Sequence, residues 1–202
     1  MFLFDKKKYL DIIRIIFNFG ENMPNCHHLF YKFLIFFLVI CAERSYADTI
    51  NYDSRIAINP NGNRVCVWQS YDTISNLSRI EAAYSVNGTT WSAAQPISQT
   101  NLICDNEKLD IDDQGNVVVA WLASDPITGV SEIYAAMYNA LSSSWSVYEF
   151  IGTSGAVFNL KTNGNGAVIL SFEALESGSY VVKVTRATCG TTGWAAPITV
   201  SP

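Results

Sequence analysis

The sequence predicts an all-β protein in which one four-stranded antiparallel unit recurs three times after residue 50. Three observations predict it. The apolar runs are short, rich in β-branched and aromatic residues, and broken at intervals of about 8 to 12 residues by Gly, Asn, Asp or Ser, which suits strands and hairpins and not helices. Trp68 and Trp121 stand 53 positions apart, Trp91 and Trp145 54, and Trp145 and Trp194 49, a spacing close to that of tandem stacked repeats. The second strand of each unit (65–68, 117–121 and 167–170) is apolar on both alternating faces, as expected of a strand covered from two sides.

The elements follow in order. The first copy reads IAINPNGNRVCVW, IEAAYS, NGTTWS and PIS, and the second reads LDIDDQGNVVVAW, IYAAMY, SSSWS and EFIG. The third is looser, reading NLKTNGNGAVILSF, YVVKVTRA and TTGWAAPITVS. Asn61-Gly62-Asn63 and Gln114-Gly115-Asn116 are predicted hairpin turns between first and second strands, with Gly supplying the positive φ of a tight turn. The run 163–166 (NGNG) does the same in the third copy; counted from its first Gly, it carries two extra residues before Phe172. Asp112-Asp113 is assigned to the second hairpin turn and not to a ligand site. The five tryptophans recur at structural positions and are read as core.

Four strands per unit with both faces apolar describe a blade held between neighbouring blades. The predicted architecture is therefore a partial β-propeller of three four-stranded antiparallel blades, at about residues 54–100, 106–154 and 157–202; a β-sandwich is the alternative. The segment 85–91 (SVNGTTW) resembles the Asp-box of bacterial neuraminidase repeats, Ser-x-Asp-x-Gly-x-Thr-Trp, which tightens the turn between third and fourth strands. It is one residue shorter, and Asn87 replaces the Asp. The second copy keeps Trp145, and the third keeps Gly190, Thr192 and Trp194. The chain is thus similar to sialidase-like Asp-box propellers over about residues 54–201, with degenerate repeats. Closed propellers have typically about 4 to 8 blades. Three blades imply a truncated piece of a longer gene, an open arc, or a homodimer completing a ring, and truncation is the favoured expectation.

Residues 33–42 (FLIFFLVICA) form an unbroken apolar run after Lys32, followed by Ser45-Tyr46-Ala47 with small residues where a signal peptidase cuts. Residues 1–47 are therefore read as a secretory signal peptide, with Met23 as an alternative start, and the product as secreted, periplasmic or extracellular. The run is shorter than the roughly 20 residues that span a bilayer, so no transmembrane anchor is expected. Beyond residue 47 there are 7 Lys and Arg against 14 Asp and Glu, an acidic balance that argues against nucleic-acid partners. Both histidines, His27 and His28, precede that point, which excludes Ser-His and Cys-His catalytic pairs and His-ligated metals from the remainder. Cys66, Cys104 and Cys189 remain, and a Cys104–Cys189 bridge is one open option.

In propellers the loops between second and third strands and between blades gather on one face. Here they are 70–78, 99–107, 124–131, 152–156 and 173–179, and the candidate binding residues on them are Tyr71, Asp72, Asp105, Glu107, Asp125 and Glu173, with Glu176 nearby. A carboxylate ring of this kind suits Ca²⁺ or a cationic partner; a solvated acidic rim is the simpler reading. Exposed Tyr71 and Tyr148 among Ser, Thr and Asn suit a glycan or protein surface. Asn76-Leu77-Ser78 and Asn87-Gly88-Thr89 match glycosylation acceptors. The sialidase resemblance implies an arginine cluster for the substrate carboxylate, a Tyr nucleophile with a Glu partner and an Asp acid. Of Arg55, Arg64, Arg79 and Arg186, at most Arg55 and Arg79 reach the loop face, so no catalytic residue is assigned. The expectation is a secreted, non-catalytic recognition module for a glycan or protein, with a degraded or truncated relative of a glycan-acting hydrolase as the alternative.

Overall fold

A computed structural model describes residues 49–86, 88–153 and 157–201. The signal-peptide reading of 1–47, the Asn87 position and part of the 152–156 loop lie outside the described residues. Among the described residues, regular structure is all strand. β1 (Thr49–Ile58), β2 (Arg64–Asp72), β3 (Leu77–Ser85) and β4 (Gln95–Pro96) form the first antiparallel unit. β5 (Ile103–Ile111), β6 (Val117–Ser124) and β7 (Ser131–Asn139) form the second, with β8 (Ser144–Trp145) and β9 (Glu149–Thr153) both pairing on β7. β10 (Phe158–Thr162), β11 (Ala167–Glu176), β12 (Ser179–Thr188) and β13 (Ile198–Thr199) form the third. A single parallel bridge, Ser78 to Ile103, ties the first unit to the second in one mixed sheet.

The units stack face to face because β6 alternates. Val117, Val119, Trp121 and Ala123 pack with Val65, Val67, Ile80, Ala82 and Tyr84 of the first unit. Val118, Ala120 and Leu122 turn the other way, onto Phe158, Leu160, Leu170 and Phe172 of the third. The middle sheet is thus covered on both faces, and β6 has no solvent-exposed residue before Ser124. The first strands β1, β5 and β10 are neighbours in space, β5 standing beside both others.

One turn is built three times. Asn59, Asp112 and Asn163 each begin a β-hairpin loop in which the side-chain oxygen accepts the backbone N–H four residues on, from Asn63, Asn116 and Ala167. In each, the residue three further on is a glycine at positive φ: Gly62 at 84°, Gly115 at 87° and Gly166 at 82°. Side-chain oxygens thereby satisfy donors that the hairpin would leave bare. The third unit is consequently in register on Gly166, not Gly164, and the two extra residues expected before Phe172 vanish: Trp68, Trp121 and Phe172 each follow the turn glycine by six positions.

A second recurrent device explains the Trp-Ser pairs. Ser92 donates its backbone N–H to Tyr84 and accepts the Tyr84 N–H on its hydroxyl. Ser146 does the same with Met137. Ala195 keeps the backbone half, donating to Arg186, and instead accepts the Thr185 hydroxyl on its carbonyl.

Three expectations are corrected. The tryptophans are not uniformly core: Trp121 is fully buried and Trp145 and Trp194 pack at the cluster margins, but Trp68 is half-buried and Trp91 is 43% exposed. Trp68 stands where Trp121 stands in the next unit, so its side chain lies on the face of the first sheet that no described sheet covers. The three cysteines beyond residue 47 are all free thiols; Cys104 belongs to the first core cluster and Cys189 to the second, so no bridge joins them. Asp105 and Glu107 are not loop residues, because β5 begins at Ile103.

Candidate functional site

The strand register brings the β2–β3 loop, the start of β1 and the connection into β5 to one end of the molecule: Thr49 pairs Asp72, Asp72 pairs Leu77, and Ser78 bridges Ile103. A cavity of about 220 Å³ opens there, lined by Thr49, Ser70, Asp72, Ser75, Leu77, Ser78, Arg79 and Thr100. Its lining is mostly hydroxyls, with one carboxylate and one guanidinium. Asp72 Oδ1 accepts the backbone N–H of Ile74 at 2.8 Å and of Ser75 at 3.4 Å, and these bonds hold its carboxyl below the usual range. Arg79 is anchored by Glu81, its Nε donating at 2.8 Å, which fixes the guanidinium at the cavity wall. Tyr71 donates its hydroxyl to Asn76 Oδ1 at 2.8 Å, bracing the loop.

Next to this cavity, the first strands carry matched bulges. Asp53 (φ 50°) sits where β1 slips register between Tyr52 and Arg55, and Asn106 (φ 51°) where β5 slips between Asp105 and Lys108. Both stand six residues before the turn Asx, at equivalent places in the repeat. The bulge on β5 drives Glu107 inward, where it is 0% exposed with neither carboxylate oxygen hydrogen-bonded. Arg55 Nε approaches Glu107 Oε1 at 3.5 Å, and Arg55 Nη2 approaches Asp53 at the same distance. Burial pushes the Glu107 carboxyl up to about 7; its own backbone N–H, and after it Arg55 and Lys108, partly offset this, while Asp53 adds to the rise. Burial, and secondarily Asp53, raise Asp105 as well. The half-exposed Tyr52 hydroxyl is raised by burial and then by Asp105, Tyr71, Asp53 and Glu107 around it.

Of the six sequence candidates, Tyr71, Asp105 and Glu107 act electrostatically on Tyr52, and Asp72 lines the cavity. Asp125 and Glu173 stand apart. Asp125 repeats the Asp72 role one unit on, accepting the N–H of Ile127 at 2.7 Å and of Thr128 at 3.1 Å, which lowers its pKa. Glu173 lies on β11 with its backbone N–H donated to Val157, in the row with Ile169 and Leu175 on the uncovered side of the third sheet. Tyr148 is 39% exposed and rests edge-on against Trp121 and Tyr134. Among the described residues no group of acidic, Cys or His side chains is arranged to hold a metal ion. Tyr52, Asp53 and the serines and threonines of the cavity were not singled out by sequence reasoning. The signal for the first two was the polar Asp53-Ser54-Arg55 interruption of the β1 alternation.

No protein-family model and no curated protein matches the chain. Among solved structures it is similar to the polysaccharide lyase Uly1, with a TM-score of 0.50 and 11% identity over 74% of this chain. The chain spans 40% of the length of that lyase. At such identity the likeness is one of fold.

Proposed function

We propose that the three units are blades of a β-propeller arc, and that the protein is an exported, non-catalytic recognition module whose loop end binds a glycan. The arc reading is supported by the face-to-face stacking of the units through β6 and by the adjacency of their first strands. One observation carries the ligand reading: the cavity at that end is lined by Thr49, Ser70, Ser75, Ser78 and Thr100 with an anchored Arg79 and Asp72, a donor and acceptor set suited to sugar hydroxyls. At about 220 Å³ it falls below the roughly 300 Å³ of pockets for drug-sized ligands, so it accommodates about one ring of a chain lying across the surface. The similarity to a polysaccharide lyase is compatible with a glycan partner.

A lyase or glycosidase needs a base or acid that touches the substrate. Among the described carboxyls Glu107 is raised to about 7, and it has no exposed surface with which to meet a chain. The test is a glycan array beside fluorogenic sialoside and unsaturated-product assays, with Thr100→Trp to fill the cavity. Binding without turnover that Thr100→Trp abolishes supports the module. Turnover, or binding indifferent to Thr100→Trp, contradicts it.

A further inference from the structure

The two outer sheets offer the two halves of an interface that already occurs twice inside the molecule, and we infer that two copies of the chain associate head to tail through them, closing a six-unit ring. Positions are counted from the turn glycines Gly62, Gly115 and Gly166. In the first junction the third and fifth residues of β2, Val65 and Val67, pack on the fourth and sixth of β6, Val119 and Trp121. In the second, the third and fifth of β6, Val118 and Ala120, pack on the fourth and sixth of β11, Leu170 and Phe172. Among the described residues, two rows are left uncovered. The third and fifth residues of β11 are Ile169 and Ser171, flanked by exposed Leu175 and Ile198. The fourth and sixth of β2 are Cys66 and Trp68, flanked by Ile56 and Ile58 at 64% and 59% exposure.

A donor row and an acceptor row thus stand on opposite sides of the stack at the repeat positions that meet inside it, with Ser171 and Glu173 interrupting the apolar donor row. The turns carry the same complementarity. Asn59 donates its side-chain amide to the Asp112 carbonyl of the next unit at 2.9 Å. Asn163 restores the asparagine at that position in the third unit and is exposed. Because the two rows differ, the contact is heterologous, and rotation by one unit per junction lets two copies close where a single copy stays open. The pairing rests on the stacked-blade reading and is independent of the glycan reading.

Sedimentation velocity on the full chain tests it, with two variants at exposed or half-exposed sites, Trp68→Asp and Ile169→Asp. The parent sediments at twice the chain mass. Each variant alone is weakened in pairing by about 30-fold or more, the loss typical of a central interface residue. Mixed together, the two variants pair again, because the intact row of one meets the intact row of the other. Peptide-mapped maleimide labelling gives a second readout: Cys66 is protected in the parent and labelled in Ile169→Asp. A monomeric parent overturns the inference. So does an Ile169→Asp variant that pairs like the parent, which would mean a symmetric contact between two first sheets, and so does an open series of higher species. A variant whose circular dichroism departs from the parent is replaced by the serine substitution at the same site, with the same outcomes.

Discussion

Asn59 reaches across to Asp112: its side-chain amide donates to the Asp112 carbonyl at 2.9 Å, joining two turns of identical construction 53 residues apart. Asp113 continues the chain of contacts, donating its N–H to Gly164 at 3.1 Å, and Asn61 donates to the Asp113 carbonyl at 2.8 Å. The repeat is therefore held at its turn end by polar contacts between units, while β6 supplies the apolar contacts. Replacing Asn59 by Asp keeps the oxygen that caps Asn63 but turns the donor into an acceptor facing the Asp112 and Asp113 carbonyls. Asn59→Asp is expected to lower stability by about 1–3 kcal/mol, the cost of an unsatisfied buried group, in urea unfolding. Asn59→Ser, which supplies a hydroxyl oxygen for the Asn63 N–H and introduces no charge, should lose less.

Two equivalent glycines separate backbone strain from crowding. Gly62 and Gly115 share the same φ, but a Cβ on Gly62 meets nothing within 4 Å, whereas one on Gly115 would lie 2.6 Å from the Tyr84 hydroxyl oxygen. Tyr84 itself donates to the Gly115 carbonyl at 3.1 Å and stacks on Tyr138. Gly62→Ala should cost about 1–2 kcal/mol for the left-handed backbone alone. Gly115→Ala should cost distinctly more, read as a lower midpoint in parallel denaturant titrations.

Glu107 sets a pH dependence opposite to that of most carboxylates. Its folded pKa of about 7 exceeds the ordinary 4.5, so the folded state holds the proton more tightly and stability declines as pH rises from about 4.5 through 7. Asp105, raised in the same direction, adds to this. Asp72 and Asp125, both lowered, contribute stability that is lost only below the ordinary carboxylate range and so do not act in this window. Glu107→Gln should raise stability at pH 8 by on the order of 2–3 kcal/mol, read as a higher melting temperature, and change little at pH 5. A parent protein more stable at pH 8 than at pH 5, with Glu107→Gln destabilising at both, would mean that the carboxylate is well solvated.

Trp121 and Trp68 occupy the same repeat position and should respond differently. Trp121 is fully buried, and its indole N–H donates to Gln99 Oε1 at 3.1 Å. Trp121→Ala is expected to cost about 3–5 kcal/mol in intrinsic stability. Trp68, half-buried with its indole N–H on Glu81 at 3.2 Å, should cost much less when the monomeric state is compared at low concentration.

The strands and turns were legible because they are local. β-branched alternation and Gly-Asn turns at 61–63 and 114–116 mark the hairpins directly. The third turn was placed at 163–166 but its register was ambiguous because NGNG offers two glycines, and only the backbone shows that Gly166 carries the positive φ. Asp105 and Glu107 read as a loop because a polar run hides a strand that bulges at Asn106, and the bulge reverses which residues point inward. The burial of the tryptophans was not legible at all from position in the repeat, since Trp121 and Trp68 differ in the sheet that lies over them. The cavity at the loop end escaped notice for the same reason: Ser70, Ser78 and Thr100 converge only through the Ser78 to Ile103 bridge.

Native-state hydrogen exchange, resolved by residue, tests the stacking of the three units most directly. The account predicts that the ladder amides of β6, covered on both faces, exchange only through global unfolding and are the slowest in the molecule, ahead of β2 and β11, which are covered on one. Exchange from β6 as fast as from β1 or β13 would contradict it.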